Sequence, residues 1–301
     1  NKDRQDIKQY FINNQNLTKT MATTQKAAAP KAAKKSKGFT GIRGAFWIIV
    51  VCFIAALCIF NLWLGNGANF QGGDNANAPL NIFGTIYKGG YVVPIIHTLL
   101  LTVLCLAVER YFALKTAFGK QPLTKFVQNI KAALKANDFA KAEDLCNKMK
   151  GSVANVVLAS LRAYKDMESG ANVSLKKSQK VAKIQQAHEE ATQLEMPTLQ
   201  MNLPIIATIV TLGTLTGLLG TVTGMIRSFQ ALAAGGGGDS LALSTGISEA
   251  LINTAFGIAT SWCAVIAYNF FTNKIDKLTY ALDEVGYSIA QTYEASHADE
   301  A

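Results

Sequence analysis

Four stretches of this chain are apolar over the length of a membrane crossing, and polar segments lie between them. Residues 45–65, AFWIIVVCFIAALCIFNLWLG, carry no charge. About 20 such residues are what a helix needs to cross a ~30 Å hydrocarbon core. Trp47 and Trp63 sit near its two ends, where an aromatic belt places them. A cleaved signal peptide competes as a reading, but its apolar core runs only about 7–15 residues, so a retained span is favoured. Residues 66–90 are rich in Gly, Asn and Ala and read as a loop. A second span covers 91–111, with Pro94 in its first turn, where the missing N–H costs little. The third covers 203–232 and the fourth 241–271, separated at 233–240 by the glycine-rich turn AAGGGGDS. Both exceed the minimum crossing by about ten residues, so they tilt or project beyond the bilayer as continuous helices.

The polar segments differ from one another. Residues 1–44 are low in complexity and end in AAAPKAAKKSKG, a composition that cannot bury a core, so a disordered basic tail is expected. Met21 opens MATTQKAAAP and reads as a start codon, which would make residues 1–20 an upstream addition; an intact-mass measurement decides it. In residues 112–202, Phe126, Ile130, Ala133 and Leu134 recur at helical spacing, with interruptions at Asn137-Asp138, Gly151 and Gly170. This is a set of amphipathic helices. Residues 272–301 read as a tail.

Composition agrees with a membrane protein: 50% of the 301 residues are hydrophobic and 16% charged, against about 25% charged in soluble domains. The net charge of +9 does not call for a nucleic-acid partner, because the basic residues flank the spans. Lys31, Lys34, Lys35, Lys37 and Arg43 precede the first span. Arg110, Lys115, Lys120 and Lys125 follow the second, and Lys274 and Lys277 follow the fourth. Lys and Arg mark the cytoplasmic side, so both termini and the 112–202 region are expected there.

Several chemistries find no support. Cys52, Cys58, Cys105, Cys146 and Cys263 form no metal-ligand spacing and read as small buried hydrophobes. His97, His188 and His297 are scattered; His97, inside a span, reads as a neutral, hydrogen-bonded structural residue. The sequence calls for no cofactor or metal, and no nucleophile–base pair suggests an enzyme. GGGGD at 235–239 does not continue into a phosphate-binding loop.

The last two spans hold the unusual residues. The third carries Thr208, Thr211, Thr214, Thr216, Thr221 and Thr223, with Gly213, Gly217, Gly220 and Gly224 at three- and four-residue intervals. Small residues at that spacing let helix backbones approach, and hydroxyls bond across the contact. Helix packing alone would account for most of them. Glu249 lies inside the fourth span, in STGISEALINTAFGIAT. A carboxylate there is costly, and persists where it meets water, a cation or a protonation site; at the interface it would merely be wet. On an ideal helix Asn253 shares its face, while Thr254 is offset by about 140°.

GLLGTVTGMIRSF at 217–229, followed by GISEALINTAFGIAT at 246–260, resembles the paired signature of the MotA/TolQ/ExbB proton channel family. ERYFAL at 109–114 and NDFAKAEDLC at 137–146 add to the likeness, which covers roughly residues 91–285. The resemblance implies an all-α integral membrane protein of the bacterial inner membrane with a three-span core of the ExbB/TolQ kind, from which this chain departs by its extra N-terminal span. It implies an ion path through Thr221, Glu249 and Thr254, with Thr214, Gly217, Gly220 and Asn253 lining or packing it. It implies a homopentamer in the lipid bilayer around a dimer of single-span, ExbD- or TolR-like partners whose membrane aspartate carries the proton, and a TonB-like protein beyond. The function implied is an ExbB-like energiser of TonB-dependent outer-membrane transport. TolQ-like envelope maintenance, MotA-like torque and a non-conducting scaffold are the alternatives. The 112–202 region and the short tail fit ExbB and TolQ better than MotA. Thr214, Leu215 and Thr216 stand where the family commonly has proline and leucine, which leaves proton against sodium open.

Overall fold

A computed structural model describes residues 44–168, 175–234 and 240–297. The basic tail, the Met21 start, the break at Gly170 and the glycine-rich turn at 235–239 lie outside the described residues. Among the described residues the fold is all helix, apart from one isolated antiparallel bridge between Phe70 and Pro79. Four helical stretches are long and apolar enough to cross a membrane: Ala45–Leu64, Val92–Lys135, Leu203–Ala233 and Leu243–Ser296.

The first, α1 (Ala45–Cys58), runs on through a π-helical turn at Ile59–Leu64. It buries only a thin stripe that includes Cys52 and Ala56, and turns Phe46, Trp47, Val51 and Ile54 outward. A helix apolar all round suits an apolar solvent.

Residues 66–91 are more ordered than a Gly/Asn-rich loop suggests, because asparagine side chains replace a core with local hydrogen bonds to backbone. Buried Asn69 donates to the carbonyls of Trp63 (2.8 Å) and Leu64 (3.1 Å), and accepts from Asn81 (2.9 Å). Asn81 in turn accepts from the Gly84 N–H and caps α2 (Ile82–Lys88). Tyr87 stacks on Phe60 with ring centroids 4.6 Å apart. These residues form a cap at one pole.

The second span, α3 (Val92–Phe118), continues well past the end of the apolar run. Where it leaves that run, Arg110 is wholly buried and forks onto Glu109 (2.5 and 2.6 Å). Arg110 also donates to the Thr198 carbonyl (3.3 Å), and Asn202 donates to Glu109 (3.2 Å). A buried ion pair persists when hydrogen bonds offset its lost hydration. This one ties α3 to the chain at Thr198 and Asn202.

At the opposite pole α4 (Leu123–Lys135), α5 (Phe139–Met149), α6 (Ser152–Glu168) and α7 (Lys177–Leu199) form a water-type helical module. Phe126, Ile130, Ala133 and Leu134 are all buried, as their helical spacing predicts. The break at Asn137-Asp138 is a left-handed residue (Asn137, φ 51°) followed by a helix cap, Asp138 accepting from the Lys141 N–H. Burial pushes the Cys146 thiol up to about 12, the inert state of a structural cysteine.

The fourth spanning helix completes the module. α8 (Leu203–Ala234) and α9 (Ser240–Ser296) are antiparallel, and α9 runs unbroken for 57 residues. The residues after 271, polar enough to read as a tail, are its continuation. They bury Phe271, Ile275, Leu278, Leu282, Val285, Ile289 and Tyr293 against α4–α7.

Candidate functional site

The site lies where α8 and α9 meet, on the side of the cap. Glycines bring the two helices together. A Cβ added to Gly217 would stand 3.1 Å from the Asn253 carbonyl and 3.2 Å from the Gly257 Cα. Gly220 receives the Asn253 side chain directly. Hydroxyl contacts cross the seam: Thr254 donates to the Gly217 carbonyl (3.3 Å), and the Thr214 and Ser261 hydroxyls lie 2.8 Å apart. Backbone proximity of this kind is how helices associate in an apolar medium, where burying leucine gains little.

The residues named from sequence therefore divide. Gly217, Gly220, Thr214 and Asn253 are in the packing seam. Asn253 is 2% exposed and its Nδ2 donates to the Gly89 carbonyl (2.9 Å), so that end of the amide is spent on the cap, while its buried Oδ1 has no hydrogen-bond partner among the described residues. Thr254 is half-buried in the seam and also bonds its own helix at Ala250 (3.2 Å). Thr221 is half-buried on α8, its hydroxyl on the Leu218 carbonyl (2.6 Å). Glu249 is nine residues into α9, its side chain 14% exposed. His97 bonds the Val93 carbonyl (2.9 Å) and lies against Phe256, a structural position.

Sequence reading passed over Arg227 and Tyr91. Arg227 Nη1 is 3.6 Å from Glu249 Oε2, and its guanidinium lies over the Tyr91 ring, 5.0 Å from the centroid. The available signal was a lone arginine in the otherwise uncharged run from Leu203 to Ala234, which needs a counter-charge. Among the described residues no three metal-ligating side chains cluster.

A second polar group is buried in the helical module. His188 Nδ1 is 2.8 Å from Ser160 Oγ, Nε2 has no partner, and the ring abuts Gly286 of α9. Burial holds its pKa below the usual histidine value, against the opposing pull of Asp283 and Glu189.

Residues 150–284 match the family model of the MotA/TolQ/ExbB proton channel family. The chain is 32% identical over 87 residues to the biopolymer transport protein ExbB-like 3 of Synechocystis. It is 37% identical over 95 residues to the Tol-Pal system protein TolQ of Pseudomonas aeruginosa, and 33% over 88 residues to TolQ of Haemophilus influenzae. These matches take in 28%, 32% and 29% of this chain, and 41%, 41% and 39% of the respective relatives. The glycine seam and Glu249 both lie inside the residues that match the MotA/TolQ/ExbB proton channel family.

Proposed function

We propose that the chain is the ExbB-like subunit of an inner-membrane motor that uses the proton-motive force to energise TonB-dependent outer-membrane transport. One observation carries this reading: a carboxylate, Glu249, is held about two and a half turns inside an apolar helix, beside the glycine seam and within the family-matched residues. Such a group is expensive in a membrane unless it meets water, a cation or an exchangeable proton, and marks an ion path by default. In this reading Thr221, Glu249 and Thr254 lie on the ion path, and Thr214, Gly217, Gly220 and Asn253 pack its wall. A lone glutamate is a poor relay, so the complementary proton carrier is supplied in trans by an ExbD- or TolR-like single-span dimer inside a homopentamer. Each charge crossing 100 mV releases about 2.3 kcal/mol, enough for a few protons to do mechanical work.

The same reading divides the chain into a basic tail (1–44), four spans (45–65, 91–111, 203–232, 241–271), connecting segments at 66–90 and 233–240, a cytoplasmic helical region (112–202) and a C-terminal segment (272–301). The Lys and Arg distribution supports a cytoplasmic location for both termini. A TolQ-like role in envelope maintenance is the second reading, favoured by the two relatives that carry that name. A TonB-like neighbouring gene favours the first reading, and a TolB- or Pal-like one the second.

The test is co-expression with the partner and assay of energy-dependent uptake of an iron chelate or vitamin in Thr221→Val, Glu249→Gln and Thr254→Val. Lost uptake with an assembled complex is expected. Normal uptake in all three leaves a packing scaffold as the better account.

A further inference from the structure

A part of the chain outside the family-matched residues reaches the surroundings of Glu249. The turn Lys88-Gly89-Gly90-Tyr91 joins the cap to α3 and touches both helices of the site. Tyr91 lies under the Arg227 guanidinium of α8. The Gly89 carbonyl accepts from Asn253 of α9, one helical turn beyond Glu249. Gly90 between them has φ 74°, a left-handed backbone that glycine adopts freely. A Cβ on Gly90 would stand 2.9 Å from Arg227 Nη1, so the guanidinium lies against the bare Gly90 backbone. Lys88 adds a second positive charge to the electrostatic surroundings of Glu249, its ammonium anchored on the Ala76 carbonyl at 2.9 Å.

We propose that Arg227, steered by Tyr91 and Gly90, is the positioning residue for Glu249 and the element that keeps cations larger than a proton out of the site. The inference rests on the reading of Glu249 as an ion-path group. A guanidinium never gives up its charge, so a fixed positive charge stands beside the carboxylate. A proton and a sodium ion meet that charge as the same repulsion; what separates them is room, because a sodium ion must also gather several oxygen ligands at the carboxylate edge where the guanidinium stands. A proton needs only one carboxylate oxygen. Stacking on Tyr91 holds the guanidinium in register. At 3.6 Å the pair is beyond hydrogen-bond range, which leaves Glu249 free to change protonation without breaking a bidentate bridge. The clamp comes from residues 88–91, so the N-terminal part of the chain takes part in the site rather than only anchoring it.

The experiment is proton and sodium flux into proteoliposomes holding the assembled complex of the full chain and its single-span partner. Arg227→Gln is expected to raise the sodium-to-proton flux ratio on the order of tenfold. Arg227→Lys should keep the ratio near wild type, and Tyr91→Leu, which retains the charge but frees it, should fall between. An unchanged ratio in Arg227→Gln, or in Tyr91→Leu should the first variant fail to assemble, overturns the inference. Glu249→Gln separates the two levels: flux equal to wild type there removes Glu249 from the ion path and sinks the functional reading itself. Lost flux in Glu249→Gln with an unmoved ratio in Arg227→Gln sinks only the clamp.

Discussion

Along its first half α9 lies against α8 with backbone nearly touching backbone; from Phe271 onward large side chains hold it. A Cβ on Gly257 would come within 2.6 Å of the Gly213 carbonyl and 2.7 Å of the Gly217 Cα. Leu215, Leu218, Leu219 and Val222 point outward from the same stretch of α8. In the second half the order inverts: Phe271, Ile275, Leu278, Leu282, Val285 and Ile289 point inward at a repeat of three and four, and Tyr293 packs edge-on against Tyr164, centroids 4.9 Å apart. The hydrophobic effect needs water. Where the solvent is hydrocarbon, close backbone packing and hydroxyl bonds take over, and the large residues face out. One helix obeys both rules, and the buried Glu109–Arg110 pair sits on α3 where the apolar run gives way to the water-type module.

The largest effect that separates the halves is truncation of a module core residue. Phe126→Ala should destabilise the α4–α7 module by about 3–5 kcal/mol, seen as a lower thermal midpoint in detergent. Leu218→Ala, on the outward face of α8, should stay within about 0.5 kcal/mol. Equal damage from both would break the comparison.

Next is the seam, where adding atoms hurts more than removing them. Gly257→Leu should cost about 1–3 kcal/mol through overpacking. Its readout is a fall in disulfide yield between Thr214→Cys and Ser261→Cys, whose parent hydroxyls lie 2.8 Å apart.

The water-type half should also respond to pH through His188. An unfolded histidine titrates near 6.5, whereas burial holds the folded ring lower. Between those values the unfolded chain binds more protons. Stability is therefore fully present above about pH 6.5 and declines as pH falls towards the folded value. Hydrogen exchange at α7 and the second half of α9 should speed up on acidification in the wild type. In His188→Gln that acceleration should shrink.

The smallest effect belongs to the solvent-exposed bridge from Lys131 to Glu284 (2.5 Å). Lys131→Ala should cost no more than about 0.5 kcal/mol and lose even that in high salt. A larger, salt-resistant loss in denaturation at two ionic strengths would show that this rim carries more of the module than its exposure allows.

The sequence alone determined what is periodic and local. Apolar run length located the four spans, glycine intervals located the seam, and helical spacing placed Phe126, Ile130, Ala133 and Leu134 in a core. Glu249 stood out because one carboxylate in an apolar run is conspicuous whatever surrounds it. Tertiary structure decided the rest. Asn253 and Glu249 share a helix face on paper, yet Gly89 and Gly220 take the amide into packing. Arg227 meets Glu249 and Tyr91 across 22 and 136 positions of chain. The cap at 66–91 orders itself through asparagine amides, which composition scores as loop. Residues after 271 remain helix because the core of α4–α7, distant in sequence, covers them. Periodicity reports which side of a helix is apolar, since that follows from one residue and its near neighbours. Which partner covers that side depends on contacts between distant segments, and only the folded chain brings those together.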